Sequence, residues 1–413
     1  MRALSTLVAV LAIASTGAGA GAQDDLLARA QALHRSVPLI DGHNDYPWAL
    51  VEASPARDFS VLDIRQSVPK LMTDIRRLQA GGVGGQFWSV YVPASVTDDE
   101  AVRRTIEQID VVHRMVRRYP DTFEHARTAE DMKRAFAAGR IGSLSGIEGG
   151  HSINSSLAVL RMMRALGAGY MTLTHSSNVP WADSATDEPE SGGLSAFGDE
   201  VVREMNRLGM LVDLSHVSPE TMADALRVTR APVIFSHSSA RAVADHPRNV
   251  PDDILRQLPA NGGIVMVTFV PGFIAPAAAE RSVRAMAEQR RLEAAHPGNA
   301  AAVRAAMREW RAAHPEAKAT LSMVADHIDH IRQVAGIDHI GLGGDFDGID
   351  TTVQGLEDVS KYPHLTAELL RRGYGDEDVR KILGLNVLRV MQRAEEVAAT
   401  LKDEPPSTAM PTN

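Results

Sequence analysis

Cysteine is absent from the 413 residues of this chain. Its absence excludes disulfide bonds, thiolate metal ligands, a cysteine nucleophile and a lipid attached through an N-terminal cysteine. An excess of basic residues is also lacking, because 52 Asp and Glu outnumber 43 Lys and Arg and give a formal net charge of −9. The composition therefore predicts no nucleic acid as a partner.

Long apolar runs are lacking too, apart from one near the N-terminus. Ala3–Ser15 is mostly apolar, follows Arg2 and precedes small residues that end at Ala22. This order predicts a signal peptide over residues 1–22, with cleavage after Ala20 or Ala22, and export to the periplasm or the exterior. The run is short for a membrane-spanning helix and no second one follows, so we predict no stable membrane anchor.

Short and mostly continuous apolar runs recur along the rest of the chain, with helical patterns between them. Continuous runs are typical of strands that are buried on both faces of a parallel sheet, and the alternation indicates right-handed βαβ units. Eight strand candidates can be marked: Pro38–Asp45, Gln86–Val92, Ile141–Glu148, Tyr170–His175, Met210–His216, Pro232–His237, Gly263–Phe269 and His339–Asp345.

Eight such units predict an α/β fold, a single (β/α)8 barrel over residues 23–401, with an open doubly wound sheet as the alternative. The stretch Ala275–Lys318, rich in Ala, Arg and Glu, is predicted to be a helical insertion before the last strand. Asp376–Leu401 is predicted to be a long helical region with a break at Gly384. Residues 402–413 form a polar C-terminal tail in this interpretation.

Residues that can bind a metal stand at the C-terminal ends of six of the eight runs. A barrel brings these ends together on one rim, where the active sites of such barrels lie, whereas an open sheet spreads them along a row. The position of the side chains therefore favours the barrel. The residues are His43, Asp45, Glu148, His175, His216, His237 and Asp345.

Five of these residues are the candidate metal ligands. His43 and Asp45 are two apart on a strand and point the same way, so both can reach one cation. Glu148 ends a segment that is poor in charge, where a carboxylate is costly unless it is paired or metal-bound, and its two oxygens could bridge two cations. His216 and His237 follow on successive strands. Each residue alone is also compatible with a structural role, as a salt-bridged Glu or a hydrogen-bonded His.

The donor set consists of nitrogen and oxygen, which suits zinc and also manganese, iron or cobalt. Two cations that share one water would generate hydroxide at neutral pH. His175 is predicted to be either a further ligand or a partner for a developing oxyanion. Asp345 could bind metal or accept the proton of the attacking water, and Arg248 could hold a substrate carboxylate bidentately.

Other histidines are predicted to have no part in the chemistry. His327 and His330 are three apart on a predicted helix and could mimic a ligand pair, but they precede the last strand, far from the predicted rim. We therefore assign them structural roles. His34 is predicted to be a surface residue.

Seven short motifs contain these candidate residues: Asp41-Gly42-His43-Asn44-Asp45, Gly146-Ile147-Glu148-Gly149, Leu173-Thr174-His175-Ser176, Asp213-Leu214-Ser215-His216, Phe235-Ser236-His237-Ser238, Arg248-Asn249-Val250-Pro251-Asp252 and Gly343-Gly344-Asp345-Phe346-Asp347-Gly348. Taken together, the motifs resemble those of the renal or membrane dipeptidase family of metallopeptidases over about Leu39–Leu388. The resemblance implies a (β/α)8 barrel with two zinc ions, a dipeptide substrate and a homodimer.

The resemblance also implies a role for each site residue. His43 and Asp45 would bind one zinc, His216 and His237 the other, and Glu148 would bridge the two. A bridging hydroxide would attack the peptide carbonyl. The residues assigned to the substrate are His175, which would polarise the carbonyl, Arg248, which would bind the terminal carboxylate, and Asp345, which would carry the proton.

Substrates implied by the resemblance are L,L-dipeptides and also L,D-dipeptides. Two alternatives stay open. The chain could be an amidohydrolase that acts on another small amide or on a β-lactam, or it could be a non-catalytic metal-binding relative. The chain departs from the mammalian family members, which rely on cysteines and are lipid-anchored.

Overall fold

The computed structural model describes residues 16–411, with side chains from residue 24 onwards. The predicted signal peptide, residues 1–22, falls outside the described side chains and stays a prediction. No helix within the described residues is both long enough and apolar enough to span a membrane.

Parallel strands form the centre of the molecule. Within residues 16–411 there are nine: β1 (Leu39–Asn44), β2 (Val83–Tyr91), β3 (Phe123–His125), β4 (Ile141–Glu148), β5 (Ala168–Thr172), β6 (Leu211–Asp213), β7 (Ile234–Ser238), β8 (Ile264–Val267) and β9 (Ile340–Leu342).

Eight of these strands close a barrel in the order β1, β2, β4, β5, β6, β7, β8, β9, and β9 pairs with β1 again. The predicted (β/α)8 barrel is thereby confirmed over the open sheet. β3 pairs only with the first three residues of β4, ahead of the point where β5 joins that strand. It therefore lengthens the sheet at the end of the barrel away from the carboxyl termini.

Helices surround the barrel. Within the described residues they are α1 (Thr16–Ser36), α2 (Tyr46–Ala53), α3 (Ile75–Ala80), α4 (Asp98–Arg118), α5 (Ala129–Ala137), α6 (Leu157–Leu166), α7 (Ala196–Leu208), α8 (Pro219–Val228), α9 (Asp252–Leu255), α10 (Leu258–Asn261), α11 (Pro271–Ile274), α12 (Pro276–Ala295), α13 (Ala300–Ala313), α14 (Leu321–Val334), α15 (Tyr362–Arg371), α16 (Asp376–Arg380) and α17 (Asn386–Thr400).

The predicted insertion before the last strand is confirmed as the helices α12 and α13. Leu292, Val303 and Met307 form a small apolar cluster of their own between these two helices. The predicted terminal helical region is also present. A π-helical segment, Lys381–Leu385, joins α16 to α17. It contains Gly384, where a Cβ would lie 2.1 Å from the carbonyl oxygen of Pro38, so the helix widens where it meets the backbone before β1.

Two glycines allow the barrel strands to approach closely. A Cβ at Gly146 on β4 would lie 1.9 Å from the Tyr170 ring on β5. A Cβ at Gly343, just after β9, would lie 1.9 Å from the carbonyl oxygen of Ser236 on β7. Only glycine fits at these contacts, and both lie directly beneath the carboxyl-terminal rim.

His327 on α14 is buried, and both of its ring nitrogens have partners, which confirms its structural role. The backbone N–H of Ala240 donates to its Nδ1 at 3.1 Å, and its Nε2–H donates to the carbonyl oxygen of Ile274 at 3.0 Å. Burial lowers the pKa of His327 to about 4. The prediction that His34 is a surface residue is wrong, because this side chain is buried. Its ring nitrogens form hydrogen bonds with the carbonyl oxygen of Gly81 and the hydroxyl of Thr366.

We expect His327 to make the fold sensitive to acid. Between pH 6.5 and about 4 the unfolded chain binds a proton at this residue that the folded chain does not, so stability falls as the pH is lowered through this window. The contribution is about 3 kcal/mol. The His327→Gln protein should be less stable at pH 7, and its deficit relative to the unchanged protein should shrink by that amount at pH 4. Urea unfolding at both pH values measures the difference, and an unchanged deficit would refute it.

Candidate metal centre and active site

A cavity of about 410 Å³ opens at the carboxyl ends of the barrel strands. Six of the seven predicted rim residues line it, namely Asp45, Glu148, His175, His216, His237 and Asp345, together with Arg248. The seventh, His43, lies in contact with them and is fully buried. The closed barrel thus brings together all eight residues that the sequence selected.

Glu148, the last residue of β4, lies at the centre of this group. Its Oε1 is 3.1 Å from the Nε2 of His216, 3.5 Å from that of His237 and 3.5 Å from that of His43. The Nε2 of His175 is 3.7 Å away. One carboxylate oxygen therefore has four imidazoles around it, each presenting the same ring nitrogen.

The carboxylates of Asp45 and Asp345 complete the cluster on the side of His43. The Nε2 of His43 is 3.3 Å from Oδ2 of Asp45 and 4.0 Å from Oδ1 of Asp345. Gly348 lies against both acids, because a Cβ there would be 2.2 Å from Oδ2 of Asp45. The loop after β9 therefore closes the cluster from above with bare backbone.

Hydrogen bonds from other strands of the barrel orient the central side chains. The Tyr170 hydroxyl on β5 is 3.0 Å from Nδ1 of His43, which leaves the Nε2 of that ring directed at the cluster. The Ser89 hydroxyl on β2 donates to Oε2 of Glu148 at 3.1 Å, which leaves Oε1 for the imidazoles. Such outer contacts fix which atom of each ligand is presented.

The donor set fits divalent cations. Three groups, each with ligand atoms within 4.8 Å of one another, share members: His43, Glu148 and His237; Glu148, His175 and His216; and His43, Asp45 and Asp345. In addition, the Nε2 of His43 is buried and makes no well-aligned hydrogen bond among the described residues, although Oδ2 of Asp45 lies 3.3 Å away. A buried nitrogen without such a bond is costly in a folded protein, and a bound cation satisfies it.

The electrostatics of the cluster follow from its mixture of buried acids and imidazoles. Burial would raise the pKa of Glu148, but the surrounding His43, His175 and His216 hold it well below its usual range. Burial raises the pKa of Asp345 well above its usual range, and the neighbouring Asp45 and Glu148 carboxylates add to the effect. Burial also holds the pKa of His216 well below its ordinary value, so that imidazole is neutral.

Three side chains reach the cavity from positions beyond their strands, which differs from the prediction. β5, β6 and β9 each end three residues before His175, His216 and Asp345 respectively. His216 and Asp345 have positive φ angles, +70° and +61°. Such left-handed backbone is rare for residues other than glycine, and it turns each side chain into the cavity. The three strands were therefore predicted to extend three residues too far along the chain.

Arg248, predicted on the loop after β7, is buried, and its guanidinium faces the cavity. Its hydrogen bonds go to two uncharged groups, the Ser238 hydroxyl and the His237 carbonyl oxygen, both at 3.4 Å. Phe273 lies against it with 5.2 Å between Cζ and the ring centroid. Burial lowers the pKa of Arg248 to about 10, so it is cationic at neutral pH.

Aromatic residues that the sequence analysis did not select form one wall of the cavity. Tyr91, at the end of β2, contacts the His175 ring edge-on at 5.1 Å between centroids. Trp48 on α2 packs against Tyr91 at 4.9 Å. The acidic residues Glu52 and Asp350 lie at the mouth. Tyr91 is the penultimate residue of the predicted strand Gln86–Val92, and this position near a strand end was the available signal. Trp48 follows the Asp45 motif, and no sequence pattern indicated its role.

Fold and site together define a metal-dependent hydrolase built on a (β/α)8 barrel. A profile of the membrane dipeptidase family, peptidase family M19, matches residues 27–405. The chain therefore belongs to the membrane dipeptidase family and is a metallopeptidase, which confirms the resemblance seen in its motifs.

A curated relative and two solved structures are similar to this chain. The chain is 43% identical to the dipeptidase verJ of Clonostachys rogersoniana over 391 residues, which cover 92% of this chain and 90% of that one. Its fold is similar to that of the probable dipeptidase PvdM from Pseudomonas aeruginosa, seen in a crystal structure. The TM-score is 0.78 and the identity 25%, and the match covers 91% of this chain and 100% of that one. Its fold is also similar to that of a metallopeptidase from Rhodobacter sphaeroides, crystallised with a phosphinate mimic of the dipeptide L-Ala-D-Ala. The TM-score is 0.72 and the identity 24%, and the match covers 87% of this chain and 99% of that one.

Proposed function

We propose that this chain is a binuclear zinc dipeptidase that hydrolyses L,L-dipeptides and L,D-dipeptides. The observation that carries the proposal is the position of Glu148, whose Oε1 lies within 3.5 Å of the Nε2 atoms of His43, His216 and His237. A carboxylate with imidazoles on both sides suits a bridge between two cations better than a single ion pair.

His43 and Asp45 would hold one cation, His216 and His237 the other, and Glu148 would contact both. Two such cations, when bound, lower the pKa of water and draw electron density from a carbonyl group. The remaining residues of the site act directly on the substrate and on its protons.

Arg248 would bind the terminal carboxylate of the dipeptide through its paired N–H groups. His175 is neutral, because burial lowers its pKa, and would donate a hydrogen bond to the carbonyl oxygen as negative charge develops there. Asp345 would take the proton of the attacking water and deliver it to the nitrogen of the leaving amino acid. The wall formed by Trp48 and Tyr91 would exclude water from one side of the substrate.

Metal analysis combined with a substrate screen tests the proposal. The full chain, freed of metal and reloaded with zinc, is expected to bind two ions and to cleave L-Ala-L-Ala and L-Ala-D-Ala, and a chelator should abolish both properties. His330→Gln is a matched control, because His330 pairs with Asp252 outside the cavity and should keep both. Cleavage of a β-lactam without cleavage of any dipeptide would instead support the alternative substrate class, and metal binding without hydrolysis a binding protein.

Amidation of the dipeptide carboxylate is expected to lower kcat/KM strongly. Within residues 24–411 no carboxylate lies within ion-pair distance of Arg248, and Asp345, Glu148 and Asp213 act on it only at longer range. The carboxylate of the substrate would therefore be its direct ion-pair partner. Loss of one member of a buried charge pair costs about 2–5 kcal/mol, or roughly 30-fold to several thousand-fold. Steady-state kinetics of L-Ala-L-Ala and its amide measure the ratio. Equal rates would exclude a carboxylate-binding role for Arg248.

The same ratio should collapse in the Arg248→Met protein. There the free acid is expected to become as poor a substrate as the amide, because neither finds a cation. Zinc content serves as the control, since Arg248 is not among the proposed ligands.

Export and dimerisation are part of the same proposal. They rest on the N-terminal sequence pattern and on the family resemblance. Cell fractionation with N-terminal sequencing of the mature protein tests the first, with Gln23 or Gly21 expected as the new first residue. Light scattering after size exclusion tests the second, with a dimer as the expected mass.

A further inference from the structure

Asp213 is a buried carboxylate that has no role in the reaction proposed above. It is the last residue of β6, is fully buried, and accepts four hydrogen bonds. Its Oδ1 accepts the backbone N–H groups of Ser215 at 3.1 Å and Ser236 at 2.9 Å. Its Oδ2 accepts the hydroxyls of Thr172 and Ser236, both at 2.6 Å. One side chain thus joins β5, β6 and β7 beneath the rim.

The Ser236 hydroxyl connects this carboxylate to His237. A serine has one hydroxyl proton, and the Ser236 hydroxyl donates it to Oδ2 of Asp213. Oγ of Ser236 is also 2.8 Å from Nδ1 of His237. Because the serine proton is already committed, Oγ must accept here and the proton must sit on Nδ1 of His237.

The consequence appears at the other ring nitrogen. A neutral imidazole carries a single proton, on one of its two ring nitrogens. With that proton on Nδ1, Nε2 presents a lone pair. It lies 2.9 Å from Nε2 of His216 and 3.5 Å from Oε1 of Glu148. An unprotonated nitrogen in this place is what a divalent cation requires.

We propose that Asp213 and Ser236 are positioning residues that fix His237 in its Nδ1–H tautomer and so prepare its Nε2 to bind metal. The inference rests on the proposed function only in taking His237 as a ligand. The carboxylate acts through a hydroxyl instead of touching the ring, because its own position is set by the three strands that it joins.

Asp213→Asn is expected to reverse the direction of the chain of hydrogen bonds. Two backbone N–H groups hold the acceptor at the Oδ1 position, so the new NH2 group must occupy the Oδ2 position and donate to the Thr172 and Ser236 hydroxyls. The Ser236 proton is then donated to Nδ1 of His237, and the ring proton moves to Nε2. A cation must displace that proton before it can bind.

Nitrogen-15 NMR of histidine-labelled, metal-free full chain observes the tautomer directly, with the His237 signals assigned by their loss in His237→Gln. The unchanged protein should show Nδ1–H, Asp213→Asn should show Nε2–H, and Ser236→Ala should show a mixture. Zinc affinity, measured by competition with a chelator, should fall by about 10-fold to 100-fold in Asp213→Asn.

Thr172→Val is the matched control. It removes a hydroxyl bonded to the same carboxylate oxygen but not linked to His237, so a loss of stability without a change of tautomer is expected. An Nε2–H tautomer in the unchanged protein overturns the inference, as does an Asp213→Asn protein that matches Thr172→Val in tautomer and zinc affinity. An unchanged protein with Nδ1–H that binds no zinc would refute the proposed function and leave the tautomer assignment standing.

Discussion

Asp345→Asn is expected to lower kcat for dipeptide hydrolysis by about 10²-fold to 10⁴-fold while the zinc content stays at its unchanged value. Asparagine has nearly the same shape as aspartate, so the loop after β9 should keep its course. The amide cannot accept the proton of the attacking water, and it cannot deliver one to the leaving nitrogen. KM should change little, because Arg248 holds the substrate independently of Asp345.

The two acids beside His43 differ in their distance from its Nε2. Oδ1 of Asp345 is 4.0 Å from Nε2 of His43, whereas Oδ2 of Asp45 is 3.3 Å from the same atom. Asp345 is therefore the more distant of the two acids. Burial raises its pKa well above the usual range, which suits a group that must hold a proton for part of the cycle.

Asp350→Asn is the matched control for this variant. Asp350 lines the mouth of the same cavity and is exposed to solvent, so the loss of its charge should change kcat by less than about threefold. A fall in zinc content of the Asp345→Asn protein, in proportion to its activity, would instead identify Asp345 as a metal ligand. Both quantities come from one preparation, by metal analysis and steady-state kinetics.

The barrel could be predicted because most of its strands are continuous apolar runs. Such runs arise wherever a strand is buried on both faces, so they can be recognised without knowing which strands pair. β3 was missed because a three-residue strand, Phe123–His125, that pairs with only three residues of β4 leaves no periodic pattern. The ends of β6 and β9 were placed too far along the chain. Each segment leaves the sheet three residues earlier and then adopts a left-handed backbone at His216 or Asp345. Glycines close in the sequence indicate this only at Asp345, which follows Gly343 and Gly344.

The residues that could bind metal were predictable, because each stands at or just after the end of an apolar run and the barrel gathers those ends. Their hydrogen-bond partners were not. The Tyr170–His43 contact crosses the barrel from β5 to β1, and the Ser89–Glu148 contact depends on the register of β2 and β4. Ser236 and His237 are adjacent in the sequence, but the contact between the Ser236 hydroxyl and Nδ1 of His237 depends on the side-chain conformations of the folded site. Strand register and side-chain conformation are properties of the folded protein. In the sequence, a Tyr or Ser within an apolar run cannot be told from any other core residue.

Glu148→Gln is expected to abolish activity and to reduce the bound zinc from two ions per chain to one or none. The central Oε1 lies within 3.7 Å of the Nε2 atoms of His175 and of the three proposed imidazole ligands. A glutamine has the same shape but carries no charge, and its amide can present an oxygen to the imidazoles only by turning its NH2 group towards Ser89. Two cations would then share the centre with no anion between them, and their repulsion in a buried site is severe.

Ser89→Ala is the matched control, because it tests whether the charge of Glu148 or only the orientation of its side chain is needed to bind two zinc ions. It removes the hydroxyl that donates to Oε2 of Glu148 and leaves the carboxylate in place, so two zinc ions should still bind, with an affinity lower by about 10-fold to 100-fold. The comparison is made on chains loaded with the same excess of zinc and then dialysed. If Glu148→Gln retained two ions and only lost activity, Glu148 would act on the substrate and the bridge would have to be a water molecule held by the four remaining ligands.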